Sequence, residues 1–232
     1  MKRCFLFFPF LLLIFLVHPV HANETNWTEK KLGKVIIRAD RAAQQKKWAR
    51  AIKYGERMIV GSKALDQHND VRYINLLKSL NKYYDKANRL QEVAPRVLEA
   101  YQLSKKHFDP EHNTTIICRT LYYKLLTLNK RYQQAIPLVQ ENISIFENRD
   151  KEEYRLIHYL TQLYSLYALT HQYEKEEKTL VKLLEINKRT FGNDDEDNIN
   201  IILRLAQNYC RQEKHDKFNQ LIASQNLKYY CK

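Results

Sequence analysis

Lys130-Arg131-Tyr132-Gln133-Gln134-Ala135-Ile136-Pro137-Leu138 decides the fold, because the chain writes a version of it five times. Forty-two residues earlier stands Asn88-Arg89-Leu90-Gln91-Glu92-Val93-Ala94-Pro95-Arg96, with an arginine and a proline in register. A further step back gives Lys46-Lys47-Trp48-Ala49-Arg50-Ala51-Ile52. Steps forward give Gln172-Tyr173-Glu174-Lys175-Glu176 and Lys214-His215-Asp216-Lys217-Phe218. The markers Trp48, Leu90, Tyr132, Tyr173 and His215 are 42, 42, 41 and 42 residues apart. Two more series move with them: Ala42, Tyr84, Leu126, Tyr167, Tyr209, and Arg38, Leu80, Tyr122, Leu163, Leu205. A period of this length marks a stack of supersecondary units, none of which buries its apolar face alone.

The unit is a helical hairpin. Only 4 glycines and 5 prolines punctuate 232 residues, leaving little material for strand-rich turns. Lys, Leu, Glu, Gln, Ala and Arg are abundant and favour helices, and 16 tyrosines supply bulky packing residues with a polar tip. Leu121, Leu125 and Leu128 fall on one helical face, as do Leu180, Leu183 and Leu184. Tyr101 to Phe108 aligns with Leu184 to Phe191 at an offset of 83. Asp109-Pro110-Glu111-His112 and Gly192-Asn193-Asp194-Asp195 then fill equivalent linkers. Gly192 is a helix stop. Asn193 to Asp197, and likewise Asp109-Pro110-Glu111, supply caps and negative charge for the next helix.

The pattern resembles the tetratricopeptide repeat in its 42-residue form, as in kinesin light chains. Leu205-Ala206-Gln207-Asn208-Tyr209 followed by Lys214 to Phe218 is the nearest match. Ala39, Ala42, Trp48 and Ala51 take corresponding places in the first unit, and the resemblance spans residues 30–223. It implies an all-α hairpin solenoid, a right-handed superhelix of about five repeats at 30–68, 69–110, 111–150, 151–192 and 193–223. The small site where the two helices cross holds Ala39, Asn81, Tyr123, Tyr164 and Ala206; the one after the turn holds Ala51, Val93, Ala135, Glu176 and Phe218. Bulky residues there predict helices pushed apart or rotated, above all in the fourth unit.

In such stacks the first helix of each pair lines the concave face. The resemblance therefore implies a groove made by Asn75, Lys78 and Lys82, then Lys124, then His158, Thr161 and Gln162, then Asn200, Arg204, Gln207 and Arg211. Such donors suit a carboxylate or an extended peptide backbone, and the implied partner is a protein or peptide, acidic residues included.

Ahead of the repeats, Met1-Lys2-Arg3 is a basic start, Phe5 to Val17 an apolar run broken by Pro9, and Val20-His21-Ala22 a small-residue cleavage site. These predict a secretory signal over 1–22, a linker over 23–29 and a tail over 224–232. Cleavage lowers the formal charge from +13 to +11, still strongly basic, and leaves no membrane-spanning stretch. Export to a periplasm or beyond permits disulfides. Cys210 and Cys231 are the candidate pair, and Cys118, among apolar neighbours, is a buried thiol. The Phe-rich signal points to a bacterium. The net charge admits a second function, binding anionic lipid or cell-wall polymer by surface charge; nucleic acid is disfavoured by export.

Catalytic chemistry is not written in the chain. His68, His107, His112, His158, His171 and His215 are scattered, with no His-Glu-x-x-His. Phosphate loops, Gly-x-Ser-x-Gly and Cys-x-x-Cys are missing too, and Asp194-Asp195-Glu196-Asp197 lacks the ligand spacing of a calcium loop. No cofactor, metal or enzyme activity is expected. Asn23, Asn26, Asn113 and Asn142 head glycosylation sequons that matter only in a eukaryotic secretory route.

Overall fold

A computed structural model describes residues 26–67, 70–147, 149 and 152–231. The expected signal sequence and the Asn23 sequon lie outside the described residues. Ten α-helices form five helix–turn–helix pairs, and no strand occurs among the described residues. The pairs are α1 (Glu29–Gln44) with α2 (Trp48–Ala64), α3 (Val71–Lys86) with α4 (Ala94–His107), α5 (Asn113–Leu128) with α6 (Tyr132–Phe146), α7 (Glu153–Leu169) with α8 (Tyr173–Phe191), and α9 (Glu196–Arg211) with α10 (His215–Ser224). Each helix packs chiefly on the helices before and after it, so one continuous core runs through the stack. The fold is a tetratricopeptide-like helical-repeat solenoid.

The turn within each pair is the same object five times. Lys46, Asn88, Lys130, His171 and Glu213 all have φ between 54° and 57°, in the left-handed region that non-glycine residues enter at a cost of about 1–2 kcal/mol. The following N–H then donates back to a carbonyl five residues earlier: Lys47 to Ala42, Arg89 to Tyr84, Arg131 to Leu126, Gln172 to Tyr167 and Lys214 to Tyr209, at 2.8–3.0 Å. These acceptors are the second marker series of the sequence. The turn is a Schellman closure, which satisfies carbonyls left over at a helix C-terminus.

Helix starts divide into two kinds. Thr28, Asp70, His112 and Asp195 cap four of the five first helices with their side chains, Glu152 before α7 does not, and no second helix has a side-chain cap, α2, α6, α8 and α10 being entered directly from a left-handed turn and α4 through a 3-10 turn. The cap of α5 is His112, whose Nδ1 accepts from the Thr114 N–H at 3.2 Å. Asp109-Pro110-Glu111, read as the capping stretch, forms the turn before it, and Glu111 instead pairs with Arg149. Leu128 departs from its stripe: Leu121 and Leu125 are buried, but Leu128 is exposed at the end of α5.

The unit whose second helix is interrupted is the second. A 3-10 turn, Leu90–Val93, precedes α4, which then starts beside Pro95. Both helices of unit four are unbroken. Its two bulky residues sit without a break in either helix: Tyr164 is only half-buried, and the buried Glu176 accepts from Asn208 at 3.0 Å. In unit two the buried Asn81 donates to the Arg96 carbonyl at 3.3 Å.

A solenoid has two open ends. At the first, the Trp27 indole lies over Gly61, where a Cβ would stand 2.6 Å from the ring. Residues 27 and 28, read as linker, thus belong to the fold. At the second, α10 buries only Phe218. There the tail returns over the last pair: Tyr229 meets the Phe218 ring at 6.1 Å, and Cys231 is disulfide-bonded to Cys210 of α9. Cys118 is free and buried.

One buried group had no signal in the repeat. Arg119 is fully buried at a position that holds Val35, Leu77, Leu160 and Ile202 in the other units. Its guanidinium donates to Asn142 Oδ1 at 2.7 Å and to the Pro110 carbonyl at 3.2 Å, and lies 3.1 Å from Glu141. Burial and the same Glu141 carboxylate push the Tyr101 hydroxyl up to about 12. Asn142 is itself buried.

Candidate partner-binding groove

The eleven residues expected on the inner face do not all line one groove. Four of them, Thr161 of α7 and Asn200, Arg204 and Gln207 of α9, line a single groove of about 400 Å³ between the two first helices. Its floor is apolar, with Leu183 of α8 and Ile201. Asn200 and the Tyr164 hydroxyl make no side-chain hydrogen bond among the described residues, and Arg204 makes only a long one, 3.4 Å to Gln207 Oε1. These are donors directed at an opening with their capacity unspent.

The other seven are placed differently. Asn75 and Lys78 of α3 form a closed triangle with Thr114 of α5: Lys78 Nζ donates to Asn75 Oδ1 at 2.7 Å and to Thr114 Oγ1 at 2.9 Å. Burial holds the Lys78 ammonium below the usual lysine range. Lys124 is 2.6 Å from Asp85, an ion pair that ties α5 to α3. Lys82 is exposed. His158 bonds Gln162 on its own helix at 2.9 Å. Arg211 faces the buried Glu176 at 3.4 Å and stands over the Tyr173 ring. Asn75 also borders an apolar hollow between α1 and α3, of about 660 Å³, floored by Ile36, Met58 and Leu76.

Sequence reasoning missed Tyr164, Asn187 and Asp197, which complete the α7–α9 groove. Tyr164 did carry a signal: it is a large side chain at a site the repeat pattern reserves for a small one. Asn187 carried none. It is buried and donates to Asp195 and Asn198 at 3.1 Å, which fixes the α8–α9 turn at the mouth of the groove.

Below the groove, two adjacent glutamates of α8 have opposite electrostatics. For Glu176, burial outweighs Asn208 and Arg211 and raises the carboxyl. For Glu177, burial also pushes upward, but hydrogen bonds from Lys214, Lys217 and Gln212 outweigh it and hold the carboxyl at about 2. Among the described residues no three His, Cys, Asp or Glu side chains gather to hold a metal ion, and no helix is long and apolar enough to cross a membrane.

The class of protein is therefore a tetratricopeptide-like repeat solenoid, and solved structures agree. A putative kinesin light chain with nearly identical TPR-like repeats from Podospora anserina superposes with a TM-score of 0.64 at 15% identity, covering 83% of this chain and 92% of that one. BtubC (BKLC) from P. vanneervenii gives 0.57 at 15% identity, over 87% and 83%. The apo form of RapI gives 0.60 at 11% identity, over 83% of this chain and 52% of that one. At such identities the likeness is one of fold. No known family's sequence profile matches the chain, and no curated protein matches it either.

Proposed function

We propose that this chain is an exported, non-enzymatic interaction scaffold that holds an extended segment of a partner protein in the α7–α9 groove. The observation that carries the reading is the set of under-used donors, Asn200, Arg204 and the Tyr164 hydroxyl, over an apolar floor. A peptide backbone offers carbonyls to such donors and apolar side chains to such a floor; a charge-assisted bond from Arg204 to a partner carboxylate would be the strongest single contact. Export rests on the signal-like start of the sequence, and the 42-residue spacing supports the kinesin-light-chain type of repeat.

Affinity capture from envelope extract tests this, with the parent protein beside an Asn200→Ala, Arg204→Glu variant whose helical spectrum is unchanged. A discrete protein retained by the parent and weakened by about tenfold or more in the variant supports the groove, since loss of a charge-assisted pair is of that order. Equal capture by both overturns it. Retention of lipid or wall polymer alone, released by moderate salt, would move the function to surface charge. A processed chain that begins at Asn23 is the expected N-terminal sequence of the exported protein.

A further inference from the structure

The positive charge of the chain is concentrated at one end. Residues 26–67 carry eleven Lys and Arg against four Asp and Glu, whereas residues 193–223 carry four against six. Three of these four acids are engaged towards unit two: Asp40 accepts from Tyr83 at 2.8 Å, Glu56 from Tyr84 and Arg96, and Glu29 from Arg72. The arginines are placed apart from them. Arg38 and Arg41 on α1, with Gln45 one turn on, and Arg50 with Tyr54 on α2 line one concavity of about 490 Å³, with the buried Ala42 among its lining residues. None of the three arginines is within ion-pair distance of a carboxylate among the described residues.

A polar end face is what a solenoid needs for solubility, but that need is indifferent to sign. Three like charges round one hollow repel, and Arg50 sits in the first turn of α2, where the helix dipole already disfavours a cation. The Arg38 position holds the buried Leu80, Leu163 and Leu205 in other units. The field reaches Tyr54: the adjacent Arg50 guanidinium, with Arg38 and Lys53 beyond it, holds its hydroxyl below the usual tyrosine range, and Arg50 stands 5.8 Å from its ring centroid.

We propose that Arg38, Arg41 and Arg50 form a phosphoryl-binding site at the first open end of the solenoid. A tetrahedral phosphoryl group offers at least three charged or polar oxygens, enough to engage three guanidinium forks arriving from two helices. A planar carboxylate offers two. The hollow has room for a diphosphate. The group is borne by a soluble phosphorylated molecule or by an anionic lipid headgroup. The site is at the opposite end of the chain from the α7–α9 groove, so either reading can fail while the other stands.

Calorimetric titration with pyrophosphate, and sedimentation with phosphatidylcholine vesicles containing phosphatidylglycerol, test the site in 0.15 M salt. Two variants of equal charge are compared: Arg38→Gln, Arg41→Gln, Arg50→Gln, and Lys30→Gln, Lys34→Gln, Lys47→Gln, which removes three exposed cations of the same pair from outside the hollow. The arginine variant is expected to lose about tenfold or more in affinity, and the lysine variant under about threefold, because exposed charges are screened over ~8 Å at this salt. Pyrophosphate binding with that pattern supports a soluble ligand; vesicle binding alone with that pattern supports a headgroup. Equal losses in both variants, citrate bound as tightly as pyrophosphate, or no binding of either probe overturns the site.

Discussion

Unit three and the junction of units four and five each place a charge where the repeat elsewhere places an apolar side chain, and they satisfy it differently. Arg119 stands among Val35, Leu77, Leu160 and Ile202; Glu176 stands among Ala51, Val93, Ala135 and Phe218. Arg119 is fully buried and closely bonded on two sides, to Asn142 at 2.7 Å and Glu141 at 3.1 Å. Glu176 has one close neutral donor, Asn208, and a looser, half-exposed cation, Arg211, at 3.4 Å. A repeat position is a volume with a polarity that neighbours can rewrite. The tighter the rewriting, the more the neighbours depend on it.

The largest effect should follow from breaking the unit-three arrangement. Glu141→Ala removes the acceptor shared by Arg119, Tyr101 and Lys105 and leaves a buried guanidinium short of charge. We expect a loss of about 3 kcal/mol in urea unfolding, the low end for a stranded buried ion. Arg119→Met in the same background should recover most of it, since an apolar residue suits that position in the other units. A Glu141→Ala protein within about 1 kcal/mol of the parent would mean that the pair is not a structural requirement.

Next comes the tail. Cys231→Ser removes the link to Cys210, which closes a loop of separation 21; the expected loss is about 3 kcal/mol, read as a lower thermal midpoint that added reductant does not lower further. A parent midpoint insensitive to reductant would show that the tail contributes little to closing the end.

The smallest effect sharpens the contrast within α8. Glu177 is held at about 2, so its stabilisation is full above its ordinary value of 4.5 and is lost as pH falls towards 2. Glu177→Gln should lower stability at neutral pH and flatten the acid decline across that window. Glu176 has its carboxyl raised, so protonating it as pH falls favours the folded state, and Glu176→Gln should cost little at pH 7. Acid unfolding curves of the two variants that coincide would refute the assignment of opposite electrostatics.

The turns were the most legible part of the structure. Lys46, Asn88 and Lys130 open the quoted motifs, His171 and Glu213 stand one residue before theirs, and the series from Ala42 to Tyr209 supplies the acceptors, because a left-handed closure needs fixed spacing more than fixed side chains. The groove was less legible. Thr161, Asn200, Arg204 and Gln207 meet as the repeat phase implies, yet Lys78, Lys124 and Arg211 at equivalent phases are engaged by Thr114, Asp85 and Glu176. Periodicity specifies the face from which a side chain leaves its helix. Its partners lie 35 to 40 residues away on other units, beyond any local pattern.

The sequence by itself determined the all-α repeat, its five units, the places of the turns and the excess of positive charge, since these depend on spacing and composition within one hairpin. Only the tertiary structure decided that Arg119 is a buried ion, that a 3-10 turn interrupts unit two, that the tail closes the second end, and which inner-face cations remain unengaged. Each of those is settled by groups from different units meeting at bonding distance, and the strength of a charge in a folded chain depends on what stands opposite it.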